Sequence, residues 1–286
     1  FLCEKNKRPL FGVMGEPMLL PPDSFTGYKQ KKLLAPGDVT ESEFSGTAQK
    51  ILNAAGTFKQ DMPFALQPGG GLQWLEAICG CGIAADHGQI WATRGRKDQL
   101  DMLISGATSG PWSEKLSACM KRLAEELDGK GFNAVPVLHG PLDILYAIMG
   151  GQELVYCMYD EPERAKAAID AAAGIFLRMA GKLSAMLKPY LGGYCGRMHI
   201  YTKKPCVTLQ DDASYLTSPD MYREFVLPAE KSIAAGLSQT VYHAHNSSLH
   251  ILEALADSGV SVVQVTVDPN GPPMEEQIKV YKRLKQ

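Results

Sequence analysis

Short apolar runs alternate along this chain with longer stretches whose apolar residues recur every three or four positions. Six runs have the length and composition of strands: Pro9–Met14, Met62–Leu66, Ala134–Leu138, Cys206–Leu209, Thr240–Tyr242 and Val260–Val267. Each stops at polar, Gly or Pro residues, the last at Asp268-Pro269-Asn270-Gly271. The longer stretches read as helices. In one of them Ile169, Ala173, Phe176, Leu177, Ala180, Leu183 and Leu187 form a single apolar face. Its start is marked by Asp160-Glu-Pro-Glu163, which predicts an N-cap, a first-turn proline and a capping-box glutamate. Ser218-Pro219-Asp220 predicts a second helix start, ahead of Met221, Phe225 and Leu227, and Thr40-Glu-Ser-Glu43 a third.

Alternating strands and helices predict a parallel sheet covered by helices. Gly69-Gly70-Gly71 follows a strand but lacks the spacing of a phosphate-binding loop. Polar candidates instead sit at the ends of several different strands, as they do at the carboxyl face of a (β/α)8 barrel. The expected architecture is therefore α/β, a TIM barrel in one domain spanning 1–286. Six strands are visible where eight are needed.

Composition narrows the setting. Of 286 residues, 45% are hydrophobic and 21% charged, ordinary for a soluble globular protein. The net charge of −2 offers no basic surface for nucleic acid or an anionic membrane. No apolar run is long enough for a membrane span. Seven scattered cysteines suggest a reduced, cytoplasmic setting rather than a disulfide framework.

His243 and His245 lie two apart near the end of a strand, so both project to one side. They read either as two ligands of a zinc site, which needs a third, or as neutral hydrogen-bonded residues. Asp211 and Asp212 end another strand and point opposite ways: one toward a pocket as a carboxylate for substrate or proton transfer, the other toward a loop. His139 ends a third strand. Asp143 can cap the helix after it, and Tyr146 either reaches the mouth with its hydroxyl or packs. The glycines Gly69, Gly70 and Gly71 admit close approach by a ligand. Glu16 and Asp268 follow two further strands. Cys79 and Cys81 read as soft ligands or, better suited to a helix end, as small apolar residues, and Trp74, Leu75 and Ile78 as core or pocket wall.

Three stretches together resemble the uroporphyrinogen decarboxylase (URO-D) superfamily: "LQDDASYLTSPDMYREFVLPAEKSI", "HGPLDILYAIMGG" and "VYHAHNSSLHILEALADSGV". The resemblance implies a (β/α)8 TIM barrel, here apparently lacking its last two β/α units, and by analogy a homodimer. It is closer to the methylcobalamin:coenzyme M methyltransferase-like branch than to true decarboxylases. The first-strand region "PLFGVMGEPMLL" carries no arginine after Arg8, and "ALQPGGG" carries no carboxylate, whereas decarboxylases have both. His243-Ala244-His245 stands at the branch's His-x-Cys zinc position, with His245 in place of the cysteine. The resemblance thus implies a zinc-dependent methyltransferase acting on a corrinoid (methylcobalamin), free or on a corrinoid protein, and a thiol or similar acceptor. Its catalytic residues would be Asp211, Asp212 and Tyr146. Its substrate-binding residues would be Glu16, Gly69–Gly71, His139 and Asp268. The alternatives are a uroporphyrinogen decarboxylase or related tetrapyrrole lyase, supported by Tyr146 and Asp211, and a non-catalytic corrinoid-binding protein.

Overall fold

Five parallel passages lie side by side in chain order, each hydrogen-bonded to the next. The structure is a computed structural model, describing residues 32–41, 52–53, 65–68, 71–86, 89–96, 98–106 and 110–284. The expected strand at 9–14, most of the helix start at 40–43, and Glu16, Gly69 and Gly70 lie outside these residues.

Along the chain the first elements are β1 (Lys32–Leu34), β2 (Ala65–Leu66), α1 (Trp74–Ile78), β3 (Ile83–Asp86) and β4 (Gln89–Ala92). Then come α2 (Gln99–Ile104), α3 (Pro111–Leu127), β5 (Phe132–Asn133), β6 (Leu138–His139), α4 (Pro141–Met149), α5 (Gly151–Asp160) and α6 (Pro162–Ser184). A small hairpin follows, β7 (Tyr194–Cys195) with β8 (Tyr201–Thr202), and then β9 (Val207–Gln210). The chain continues through α7 (Pro219–Met221), a π-helical turn (Tyr222–Val226), α8 (Leu227–Gly236), β10 (Thr240–His245), α9 (Leu252–Leu255), β11 (Val262–Thr266) and α10 (Met274–Arg283).

β2 pairs with β5, and β6, β9, β10 and β11 pair in that order, all parallel. In place of the single strand expected at Ala134–Leu138 there are two short pieces, β5 just before it and β6 at its C-terminal end. Pro136 interrupts the ladder between them because it has no N–H to donate. Strands adjacent in chain order, with no reversal, follow the wall of a TIM barrel rather than a doubly wound sheet. Among the described residues β2 and β11 are its outer members.

Register sorts the side chains into two rows. Leu138, Leu209, Tyr242 and Val263 share one level, packed in the helix-covered core. One residue further on, His139, Gln210, His243 and Gln264 share the next level and the opposite face. TIM barrels usually fill this inner face with branched apolar residues, so a polar row there is where a candidate site is sought.

The helices form where their apolar faces demand. α6 packs against α2, α4, α5 and α8, and buries Ile169, Ala173, Phe176, Ala180 and Leu183 as the periodicity predicts. Its start differs from the expectation: Glu161 is the N-cap and no side chain caps it, because Asp160 still belongs to α5. Ser218 does cap α7, its hydroxyl accepting from the Met221 N–H at 3.2 Å. The π turn behind it was not foreseen. Pro228 cannot donate to Glu224, and the Leu227 N–H reaches Tyr222 instead, five residues back.

One sheet departs from the parallel plan. β1, β3 and β4 form an antiparallel unit, with β3 and β4 separated only by His87-Gly88. That dipeptide between two apolar runs is a hairpin signal the strand–helix alternation overrode. None of the described helices is long and apolar enough to cross a membrane.

Candidate functional site

α1 follows β2 and buries Trp74, Leu75 and Ile78, as core composition predicts. Glu76 is buried in the same helix, 1% exposed, and its carboxylate accepts from His139 Nδ1 at the end of β6. Asp143, one turn into α4, sets its Oδ2 3.9 Å from the same nitrogen. Burial opposes charge on His139, but the Glu76 carboxylate, with Asp143 and Asp212 behind it, lifts its pKa to about 10. The ring is an imidazolium at neutral pH. Burial, partly offset by His139 and reinforced by Asp212, raises Asp143 to about 7.

Asp211 and Asp212 divide their work. Asp211 is 1% exposed and points under α4, where it accepts from the Leu142 N–H at 3.3 Å and the Asp143 N–H at 2.8 Å. Burial, then Asp143 and Glu230, raises its pKa well above the usual range. Sequence reading gave Asp143 the capping role; the cap comes instead from Asp211, which frees the Asp143 carboxylate. Asp143 Oδ1 in turn accepts from the Ala213 N–H at 2.7 Å, so the two β-end segments hold each other. Gly140 makes this possible, since a Cβ there would lie 2.6 Å from Asp211 Cγ.

Asp212 faces the open side. Its Oδ2 accepts from Gln210 Nε2 at 2.7 Å and its Oδ1 lies 3.9 Å from His245 Nε2. Asp212 thereby links the His139 cluster to the next two strands. There His245 Nδ1 donates to Asp268 at 2.7 Å and His243 Nδ1 donates to Gln264. Burial lowers the His243 pKa, so its ring is neutral with the Nε2 lone pair free.

Glu76, His139, Asp143 and Asp212 line a cleft of about 480 Å³. Its rim carries Trp91, Arg94, Tyr146 and Tyr215. Tyr146 is 44% exposed and reaches the mouth rather than packing in the core. Gly71, at φ +84, is exposed, and a Cβ added there would meet nothing within 4 Å among the described residues. His250 is exposed and bonds the Thr217 carbonyl at 2.8 Å.

A catalytic zinc needs about three protein donors converging on one point. Among the described residues no group of three or more His, Cys, Asp or Glu side chains does so. His243 and His245 offer two imidazoles, centroids 5.1 Å apart and planes at 82°. The six described cysteines are all buried; burial pushes the Cys81 thiol up to about 12 and Cys79 higher. The described donor set does not by itself fit a zinc site.

Reading from sequence found His139, Asp212 and Tyr146 but missed Glu76, Trp91 and Arg94, and saw Asp143 only as a cap. A glutamate inside the apolar run "QWLEAIC" was the available signal, because a buried carboxylate requires a partner. Trp91 and Arg94 depend on the unforeseen hairpin.

Parallel strands in chain order, helices outside and an acid–base cleft at the strands' carboxyl ends define an α/β protein of the TIM-barrel type. Residues 199–284 match the family model "Uroporphyrinogen decarboxylase (URO-D)". A methylated-thiol–coenzyme M methyltransferase of Methanosarcina mazei is 29% identical over 127 residues, 44% of this chain and 31% of that protein. The matched stretch thus spans under a third of the relative's length. The fold of a solved methyltransferase from Methanosarcina mazei superposes with a TM-score of 0.58 at 15% identity, covering 87% of this chain and 67% of the other. The chain is thus similar to the URO-D family over residues 199–284 and to these two methyltransferases over the shares given.

Proposed function

We propose that this protein is a methyl-transfer enzyme, moving a methyl group from a methylated corrinoid to a thiol or similar acceptor in the Glu76–His139–Asp143–Asp212 cleft. The observation that carries the reading is the pairing of a fixed imidazolium with a carboxyl group of pKa about 7 in one cleft. A thiol is a poor nucleophile until it loses its proton. Asp143, partly ionised at neutral pH, takes that proton. His139, held cationic by Glu76, stabilises the thiolate. The sulfur–carbon bond then forms as the donor's bond to methyl breaks, and that bonding pair leaves with the corrinoid. His243 and His245 face the same side at the level of His139 and beyond, where they orient the second substrate, His243 through its neutral imidazole nitrogen. The relative's name, which joins a methylated thiol to coenzyme M, supports a thiol as one partner.

A polycarboxylate fits the cleft poorly. Among the described residues three carboxyl groups line it against two cations, His139 and Arg94, so the decarboxylase reading is the weaker one. The test is demethylation of methylcobalamin by a small thiol, followed by its visible spectrum. Asp143→Asn should lower the rate by roughly 10²–10⁴-fold with the fold intact. Absence of any thiol-dependent turnover by wild type, or full activity in the variant, would refute the proposal.

A further inference from the structure

β11 runs out into Asp268-Pro269-Asn270-Gly271, which holds the one Asn-Gly pair of the sequence. These four residues form a turn. The Gly271 N–H donates to the Asp268 carbonyl at 3.1 Å, proline presets the second corner, and Asn270 is exposed at the third. Behind the turn stands Asn246, 0% exposed, whose Nδ2 donates to the same Asp268 carbonyl at 3.2 Å. Gly271 lies directly against that side chain. A Cβ on it would come 2.0 Å from Asn246 Nδ2 and 2.3 Å from Asn246 Cγ. Close packing therefore demands glycine here, and the demand falls on the residue after an exposed asparagine.

That order of residues has a chemical consequence. With no side chain on Gly271, its backbone nitrogen is unshielded and the chain around it turns freely. The nitrogen attacks Asn270 Cγ as it gives up its proton. The new N–C bond closes a five-membered succinimide, the Cγ–Nδ2 bond breaks, and Nδ2 leaves as ammonia. Water then opens the ring at one carbonyl or the other, giving aspartate or isoaspartate. No oxidant or cofactor enters. The restraint on attack is the hydrogen bond from Gly271 to Asp268, and a single bond in an exposed turn opens locally. The same turn also holds part of the polar face. The Asp268 carboxylate accepts from His245 Nδ1 at 2.7 Å, while its carbonyl accepts from Asn246 and Gly271. Isoaspartate adds a methylene to the main chain just before Gly271, where the contact with Asn246 leaves no slack.

We infer that Asn270 is a self-modifying site, at which spontaneous conversion to isoaspartate breaks the turn and releases Asp268 from His245. The inference goes beyond methyl transfer and stands whether or not that reading holds. The test is incubation of the full chain at neutral and mildly alkaline pH, with peptide mapping by mass spectrometry to follow each asparagine. Asn270 should convert about tenfold or more faster than Asn53, which is also exposed but precedes an alanine whose side chain hinders attack. Isoaspartate should be among the products. The rate should rise with pH, because the attacking nitrogen must lose its proton. Asn270→Gln, whose longer side chain would have to close a six-membered ring, should stop conversion at this position. In ¹⁵N-labelled protein the His245 ring signals should shift in step with the isoaspartate formed. The Asn270→Gln protein, incubated alike, should keep them. Conversion of Asn270 no faster than that of Asn53 would overturn the inference. So would isoaspartate formation with the His245 signals unmoved, or an equal drift of those signals in Asn270→Gln.

Discussion

Replacing Gly140 with alanine probes how the acid–base cluster is held. The Gly140 backbone, at φ −78 and ψ −179, suits alanine as well as glycine, so any effect is steric. The new methyl would meet Asp211 Cγ at 2.6 Å, Oδ2 at 2.7 Å and Cβ at 2.8 Å, the three nearest heavy atoms. Displacing a buried group in this way costs about 1–3 kcal/mol. Asp211→Ala has a different cost, since it leaves the Leu142 and Asp143 N–H groups without their acceptor, about 1–3 kcal/mol for each buried group. Asp211→Ala removes Cγ and Oδ2, the two nearest contacts, and leaves only the Cβ at 2.8 Å of the three. Gly140→Ala in the Asp211→Ala background should then cost less than in wild type, a coupling of about 0.5 kcal/mol or more. Urea unfolding of wild type, both single variants and the double variant measures it, with unchanged m-values as the check on two-state behaviour. If the two single costs simply add, Asp211 is not the group that Gly140 accommodates and the cap has been misread.

The two strand-end histidines should titrate on opposite sides of the usual value. In a ¹⁵N-resolved NMR titration His139 stays protonated to near pH 10 while His243 remains neutral below the ordinary histidine range. Glu76→Gln should bring His139 down by more than a unit; an unmoved His139 would show that Glu76 is not what holds its charge. Glu230 gives a stability test. Burial lifts it from 4.5 to about 8, with hydrogen bonds from Tyr222 and Tyr242 pulling the other way. Between those two pH values the unfolded chain loses this proton first, so stability falls as pH rises, by a few kcal/mol in order of magnitude. Glu230→Gln should flatten that decline in denaturant midpoints between pH 5 and 8, and an unaltered slope would exclude Glu230 as its source.

Where the chain repeated one pattern, its structure was legible. Parallel strands with a helix between them set the barrel type, and the polar residues closing the runs gather at the end of the strands where the candidate site lies. His139, Asp212, His243, His245 and Asp268 come together on that ground alone. What was hidden lay in pairings between distant segments. Glu76 and His139 are 63 residues apart, and neither composition nor period joins them. Asp211 and Asp212 were indistinguishable until register and the α4 amide groups gave one a buried partner and the other the cleft. Pro136 and Pro228 each displaced an ordinary hydrogen bond, breaking one strand ladder and widening one helical turn. Both are visible in the sequence, but their results depend on which neighbouring groups accept the rearrangement.

His139, Gln210, His243 and Gln264 stand at one level because main-chain ladders hold four strands in register, whatever side chains they carry. Geometry and chemistry are therefore separable along this row. A cysteine or carboxylate introduced at position 243 would inherit the spacing of the imidazole it replaces. Loss of one residue within β10 would instead turn Tyr242 and Ala244 toward the polar face and remove both histidines from it together. The row behaves as a keyboard whose keys can be exchanged but not shifted, which makes substitution there a route to new reactivity and makes single-residue deletion fatal to it.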